Sequence, residues 1–135
     1  MRVLSIDIGK KRIGLAMSDE LRIIASPFEV LEIKDLGQAL SRITKLVGDN
    51  NVSTVVMGLP INMDGSEGES AISAREFMSK LQEKADFESV FIDERLSSVE
   101  AHNILDEAGV HWSKRKNIID SLAAQIILQA YLDKK

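Results

Sequence analysis

Acidic side chains set in apolar sequence are the residues of this chain best suited to chemistry. Asp7 lies within an apolar run at residues 3–8, Asp93 and Glu94 follow another at residues 90–92, and Asp120 interrupts a third. An isolated carboxylate in a buried strand costs several kcal/mol unless it is paired or binds a metal ion. Because the chain has no cysteine and only two histidines, a metal site here needs oxygen ligands, which favours Mg²⁺ or Mn²⁺.

Each carboxylate also has a plain structural interpretation. Asp7 could cap a hairpin at the end of its strand, and Asp120 could be an N-cap near the start of a helix. Asp93 and Glu94 cannot both face one site if their strand continues, because neighbouring residues alternate between faces; one of the two could simply pair with Arg95. Taken together, carboxylates from separate elements indicate a site that orients an attacking water and stabilises a leaving phosphate oxygen.

Positive charge is concentrated near the same acids. Basic residues occupy positions 10–12 and 114–116, and Arg95 follows the acidic pair. The net charge of −4 argues against a protein that coats DNA non-specifically, since such affinity comes from phosphate neutralisation. Each basic cluster taken singly is typical of solvated surface. The candidates for nucleic-acid binding are Lys11, Arg12, Arg95 and Lys116. Asn62 is a further candidate, although its glycine-containing loop could instead be a plain connection.

Hydrophobic periodicity predicts the elements that position these residues in the first half of the chain. A second strand at residues 13–17 follows the first, and residues 22–33 form a third, edge-type strand around Pro27. Apolar residues at 36, 40, 43 and 47 recur at helical spacing after Asp35, a candidate N-cap. Residues 52–59 are a continuous apolar run, typical of a buried parallel strand.

Capping patterns predict helices in the second half. Ser66 and Glu69 fit a capping box, and Ser97 and Glu100 fit a second one that opens a helix ending at Gly109. A short buried strand at residues 90–92 lies between these two helices.

The final helix is expected to begin near Asn117, with Asp120 on the flank of its apolar stripe, roughly a quarter-turn from the centre. That stripe comprises Ile119, Leu122, Ala123, Ile126, Ile127 and Ala130.

This order of elements predicts an α/β fold in which three antiparallel strands are followed by parallel crossovers, with helices on both faces of a mixed sheet. A length of 135 residues, 44% of them hydrophobic, suits one domain covering residues 1–135. No apolar run approaches the roughly 20 residues needed to span a bilayer, and the first is too short for a secretion signal. We therefore expect a cytoplasmic protein without a membrane partner.

The motifs assembled above resemble those of the YqgF (RuvX) family, part of the RNase-H-like superfamily and related to the Holliday-junction resolvase RuvC. The resemblance covers essentially the whole chain, with no departure at the polar positions of its motifs, and it fades beyond Gly68. It is carried by residues 7–14 (DIGKKRIG), 58–68 (GLPINMDGSEG), 93–98 (DERLSS) and Lys116 with 120–124 (DSLAA).

The resemblance implies a five-stranded mixed sheet and a metal-binding acidic triad. Matched position by position, the triad is Asp7, Glu94 and Asp120, with Asp93 as the substitute for Glu94. The family's members are described as nucleases linked to maturation of the 5′ end of pre-16S rRNA. We therefore expect a hydrolase of ester bonds that uses Mg²⁺ or Mn²⁺ and acts on structured RNA, in contact with ribosomal particles and as a monomer or homodimer.

Three rival functions remain open from the sequence. Analogy with RuvC suggests a resolvase of branched DNA, whose two-fold symmetric substrate favours a dimer. A strand followed by Asp, x, Gly and a hairpin also opens nucleotide-binding ATPases and sugar kinases, but those folds generally need two such domains. A ribosome-assembly factor without catalysis would bind RNA independently of metal and of Asp120.

Overall fold

A computed structural model describes residues 1–9, 11–62, 64–93 and 115–133, with side chains of the last segment described from Leu122 onward. Five strands form one sheet in the order β3-β2-β1-β4-β5. The strands are β1 (Arg2–Ile8), β2 (Arg12–Ser18), β3 (Ala25–Glu32), β4 (Val52–Leu59) and β5 (Glu88–Asp93). The described helices are α1 (Leu36–Asp49), α2 (Glu69–Lys84) and α3 (Arg115–Asp133).

The predicted strand directions are confirmed. β1 pairs antiparallel with β2, and β2 pairs antiparallel with β3, whereas β1–β4 and β4–β5 are parallel. Antiparallel neighbours need only the short hairpins that join them, while the parallel pairs are connected through helical segments. β1 therefore lies at the centre of the sheet, between the antiparallel and the parallel half.

Alternation along β1 separates two hydrophobic cores. Leu4 and Ile6 belong to the core beneath α1 and α2, together with Ile43 and Leu81 from those helices. Val3 belongs to the core on the opposite face, beneath α3. The α3 side is built mainly from Ala16, Val56, Ala124, Ile127 and Leu128. Helices on both faces explain why the central strands β1 and β4 carry apolar residues on both of their faces.

The edge strand and the first helix confirm local signals in the sequence. Pro27 lies in β3, at the sheet edge, opposite Ala16 where the register shifts; proline is tolerated there because its missing N–H breaks no ladder bond that an inner strand would need. The strand is shorter than the predicted 22–33. The Asp35 carboxylate accepts a hydrogen bond from the Gly37 amide at 2.8 Å and caps α1.

The capping box predicted at Ser66 and Glu69 is wrong. α2 begins at Glu69, its N-cap is Gly68, and no side chain caps it. The Ser66 amide and hydroxyl both donate to Asp64 Oδ1, at 2.9 and 2.6 Å. Local turn bonding therefore holds this serine in the loop before the helix starts. The helix predicted at residues 97–109 lies outside the described residues.

The final helix differs from expectation in its start and in its buried face. α3 begins at Arg115, so Asp120 is in its second turn and the N-cap interpretation of Asp120 is wrong. Ala130 is exposed, and the buried residues are Ala123, Ala124, Ile127, Leu128 and Leu132. At about 100° per residue, position 120 lies roughly 30° from the mean direction of these five, close to the centre of the stripe rather than on its flank.

No described helix combines the length and apolar character needed to cross a membrane.

Candidate catalytic site

Asp7 belongs to the face of the sheet that α3 covers. Val3 packs in the α3 core, and the Ser5 hydroxyl donates a hydrogen bond to the Ala124 carbonyl of α3 at 2.6 Å. Because side chains alternate between faces with a period of two, Asp7 shares the face of Val3 and Ser5. Asp7 is half-buried. The sequence expectation of a carboxylate within a buried strand is confirmed.

Small residues let α3 lie close to the sheet around Asp7. Directly across the ladder, the partner of Asp7 is Gly14, and Ser5 is paired with Ala16. Gly58 follows Val56 on the same face of β4; both glycines are buried. The helix contributes Ala123 and Ala124 to the contact. We refer to Ser5, Gly14, Ala16, Gly58, Ala123 and Ala124 as the small-residue seam.

The direction of α3 brings position 120 towards the end of β1 that carries Asp7. The Ala25 amide, at the level of the start of β1, donates to the Gln129 side chain at 2.9 Å, and Ser5 contacts Ala124 further along β1. α3 therefore runs antiparallel to β1. Residue 120 precedes Ala124 in α3, just as Asp7 follows Ser5 in β1, so both lie beyond the Ser5–Ala124 bond in the same direction.

Gly14→Val is expected to destabilise the protein by about 1–3 kcal/mol, because the added side chain overpacks the seam and forces α3 away from β1. Valine is a favourable strand residue, so the loss would not reflect strand propensity. Thermal unfolding measures the effect. The matched control is Gly48→Val, since a Cβ at Gly48 meets no atom within 4 Å. Equal stability of the two variants would contradict the close approach.

β5 distinguishes the two neighbouring acids at its end. Val90 and Ile92 pack in the α3 core, whereas Phe91 packs in the α1–α2 core. Asp93 is paired with Leu59, is exposed and shares the parity of Phe91. It therefore belongs to the face opposite Asp7. Glu94 lies outside the described residues, and its role as a ligand stays a prediction.

Two of the four predicted nucleic-acid-binding cations, Lys11 and Arg12, lie in the β1–β2 hairpin and are described by the structure. Arg12 is half-buried in β2, on the face of Gly14 and thus of Asp7, with Glu32 as its cross-strand neighbour. Lys11 is exposed in the turn, which the Gly9 amide closes by donating to the Arg12 carbonyl at 2.8 Å. Arg95 lies outside the described residues, as does the Lys116 side chain.

The loop after β4 is held by its own polar groups. The side-chain amide of Asn62 donates to the Ser66 hydroxyl at 3.0 Å, and the backbone N–H of Asn62 donates to the Ser66 carbonyl at 2.8 Å. Gly65 has a φ of 89°, which favours glycine. A Cβ on Gly68 would come within 3.3 Å of the Asn62 side chain. Asn62 therefore shapes the loop, a role that the sequence did not reveal; its contact with nucleic acid stays a prediction.

An ion pair fastens this loop to α2. Arg75 donates twice to the Glu67 carboxylate, at 2.7 and 2.8 Å, and this pairing lowers the pKa of Glu67. The same guanidinium lies 4.9 Å from the centre of the Phe91 ring in β5. Hydrogen bonds from Ser66 likewise lower the pKa of Asp64. The loop is thereby fixed at the end of the sheet where β1 and β4 terminate.

Among the described side chains, no three histidine, cysteine, aspartate or glutamate residues cluster so as to hold a metal ion. Two of the three predicted ligands, Glu94 and the carboxylate of Asp120, are not among them. What the sequence analysis overlooked is Ser5, whose hydroxyl fixes α3 on β1. Its signal was a polar residue two positions before Asp7 in a buried strand.

Comparison with known proteins agrees with this geometry. A family model described as "RuvX: Holliday junction resolvase" matches residues 1–134. A protein of Endomicrobium trichonymphae named "Putative pre-16S rRNA nuclease" is 43% identical over 133 residues, covering 98% of this chain and 95% of its own length. A protein of Oenococcus oeni with the same name is 43% identical over 138 residues, covering 100% of this chain and 96% of its own length.

Solved structures share the fold at low sequence identity. RuvC of T. thermophilus, in complex with a Holliday junction substrate, has a TM-score of 0.62 at 16% identity and covers 99% of this chain and 95% of its own. The fowlpox virus Holliday junction resolvase has a TM-score of 0.60 at 12% identity, with both chains fully covered. The five-stranded mixed sheet is therefore the RuvC-like, RNase-H-like architecture that the sequence motifs implied.

Proposed function

This chain belongs to the RuvX family, and we propose that it is a metal-dependent nuclease that processes the 5′ end of pre-16S rRNA in the cytoplasm. The observation that carries the proposal is the hydrogen bond from the Ser5 hydroxyl to the Ala124 carbonyl, which holds α3 against the face of β1 that carries Asp7. Two short acidic side chains can share one ion only when their backbones approach closely, and the seam provides that approach. We propose that residues 1–135 act as a single domain.

The donor set suits Mg²⁺ or Mn²⁺. Asp7, Glu94 and Asp120 would hold the ion through carboxylate oxygens, the ligands that these hard cations prefer. Because Asp7 is half-buried, bulk water screens its carboxylate less, and the carboxylate attracts a cation more strongly. When bound, such an ion supplies positive charge to a phosphate oxygen and lowers the pKa of a water molecule.

The chain's own residues bind and orient the substrate. Arg12, on the face of Asp7, is placed to neutralise a phosphate beside the acids, and exposed Lys11 to contact the next one along the strand. Arg95 and Lys116 are proposed to contribute in the same way. Asn62 keeps the loop after β4 in one shape, which limits how a nucleic-acid backbone can cross the end of the sheet.

Two substrates are compatible with this site. The names of the relatives favour an RNA precursor, and we take that as the natural substrate, within or released from ribosomal particles. The family description and the fold shared with RuvC favour a four-way DNA junction as the second candidate. A junction has two-fold symmetry and calls for a symmetric dimer.

The test compares both substrates under one set of conditions. A pre-16S rRNA 5′ fragment and a four-way DNA junction are incubated with the protein in Mg²⁺, in Mn²⁺ and in EDTA, while light scattering gives the oligomeric state. We expect cleavage of the RNA with either ion and none in EDTA. Cleavage of the junction alone by a dimer would establish the second candidate. Undiminished RNA cleavage in EDTA would refute the metal-dependent mechanism.

A further inference from the structure

A cavity opens on the other face of the sheet, close to the proposed active site. Its volume is about 260 Å³, and it lies between β1, α1 and α2. Ile8, Leu40 and Phe77 form part of its apolar wall, and Ser73, Glu76 and Lys80 supply polar groups. Pockets for drug-sized ligands start near 300 Å³, so this one suits a smaller group with an apolar face.

The polar lining forms one row along α2. Ser73, Glu76 and Lys80 are spaced at three and four residues, so they follow a single side of the helix, and all three are exposed. Within the described part of the chain, neither Glu76 nor Lys80 makes an ion pair. The row therefore offers a hydroxyl, a hydrogen-bond acceptor and a cationic donor to a ligand in the cavity.

The cavity adjoins the basic hairpin. Gly9 lines it, and so does Ile33, whose amide donates to the Lys11 carbonyl at 2.8 Å. Gly9 has no positive φ; the absence of a side chain matters here because it leaves the backbone open towards the cavity. Lys11 is exposed beside this wall and Lys80 across from it. An apolar cavity with a lysine in its lining and another on the adjoining hairpin complements a ligand that carries an apolar group beside an anionic one.

We propose that this cavity binds one unpaired nucleobase of the substrate strand, with the adjoining phosphate on Lys11. The proposal rests on the proposed nuclease function. Gly9 lies two residues beyond Asp7, at the end of β1 where the two faces of the sheet meet, so a strand with one phosphate at Asp7 can pass round this end to the cavity. Apolar walls hold the faces of the base, and the row on α2 meets its polar edge. The site thereby selects single-stranded substrate next to the point of cleavage.

The test blocks the cavity without disturbing the core. Ser73→Trp places a large side chain at the cavity, and Ser79→Trp makes the same change at an exposed position of α2 that does not line it. The full-length protein is titrated in EDTA with a labelled five-nucleotide RNA, and with the same oligomer lacking its bases. We expect Ser73→Trp to raise Kd for the RNA about tenfold, within the range for one stacked base. Ser79→Trp should match wild type, and neither variant should change binding of the base-free oligomer.

A second pair of variants keeps the test decisive if Ser73→Trp does not fold. Lys80→Gln should weaken RNA binding several-fold, whereas Lys84→Gln, on the same helix but away from the cavity, should have little effect. Equal effects of Ser73→Trp and Ser79→Trp, or a loss of base-free oligomer binding in Ser73→Trp, would overturn the proposal. Because these titrations contain no metal, they decide the base site even if the wild-type protein proves to have no nuclease activity.

Discussion

Asp7→Asn is expected to lower the rate of RNA cleavage by more than about 100-fold, beyond the 10–100-fold typical of residues that only support a metal ligand. The amide keeps the size of the side chain but loses the charge that attracts a divalent cation. Asp120→Asn should behave alike, because α3 packs on the face of β1 that carries Asp7. Single-turnover cleavage of the pre-16S fragment in Mg²⁺ measures the effect.

Stability separates loss of chemistry from loss of fold in this experiment. Thermal unfolding of Asp7→Asn is measured beside that of wild type, and a loss of cleavage at an unchanged Tm marks a loss of chemistry. Asp86→Asn is the matched control: it makes the same chemical change at an exposed residue just before β5, at the opposite end of the sheet. If Asp7→Asn cleaves as fast as Asp86→Asn, the acidic site proposed here is not catalytic.

Glu94→Gln is expected to reduce cleavage to the same extent as Asp7→Asn, whereas Asp93→Asn should change it by no more than about threefold. The reason is the alternation along β5, which places Asp93 with Phe91 on the α1–α2 face, opposite the face that carries Asp7. The two variants differ by one residue and remove the same charge. Each therefore serves as the control of the other for effects of net charge.

Binding of Mn²⁺ gives a second readout for this pair. Titration of the ion, followed by the paramagnetic broadening of protein NMR signals, should show weakened affinity in Glu94→Gln and unchanged affinity in Asp93→Asn. The reverse result, with Asp93 essential and Glu94 dispensable, would mean that the alternation of side chains along β5 does not decide which of the two acids is the ligand. Loss of activity in both variants would indicate a ligand set broader than the triad.

Much of the scaffold was predictable because its signals are local. The run at 52–59 predicts β4 (Val52–Leu59) to the residue, since a predominantly apolar run of that length suits a strand covered on both faces. Pro27 predicts an edge strand because proline cannot donate to a ladder, and Asp35 predicts an N-cap because its carboxylate reaches an amide two residues later. The capping box predicted at Ser66 fails because the amide and hydroxyl of Ser66 both donate to Asp64, two residues earlier, and α2 begins only after Gly68.

The sequence by itself determined the order of the strands and helices, the acidic positions and the family to which the chain belongs. Only the tertiary structure decided which face of each element those positions occupy. The rotation of α3 depends on the small residues opposite it, since Gly14 and Ala16 admit Ala123 and Ala124 more closely than the bulkier Leu122 and Ile126. Likewise, the face assigned to Asp93 follows from its pairing with β4 and from which helices cover each side. Both depend on contacts between residues far apart in the chain, which no local pattern encodes.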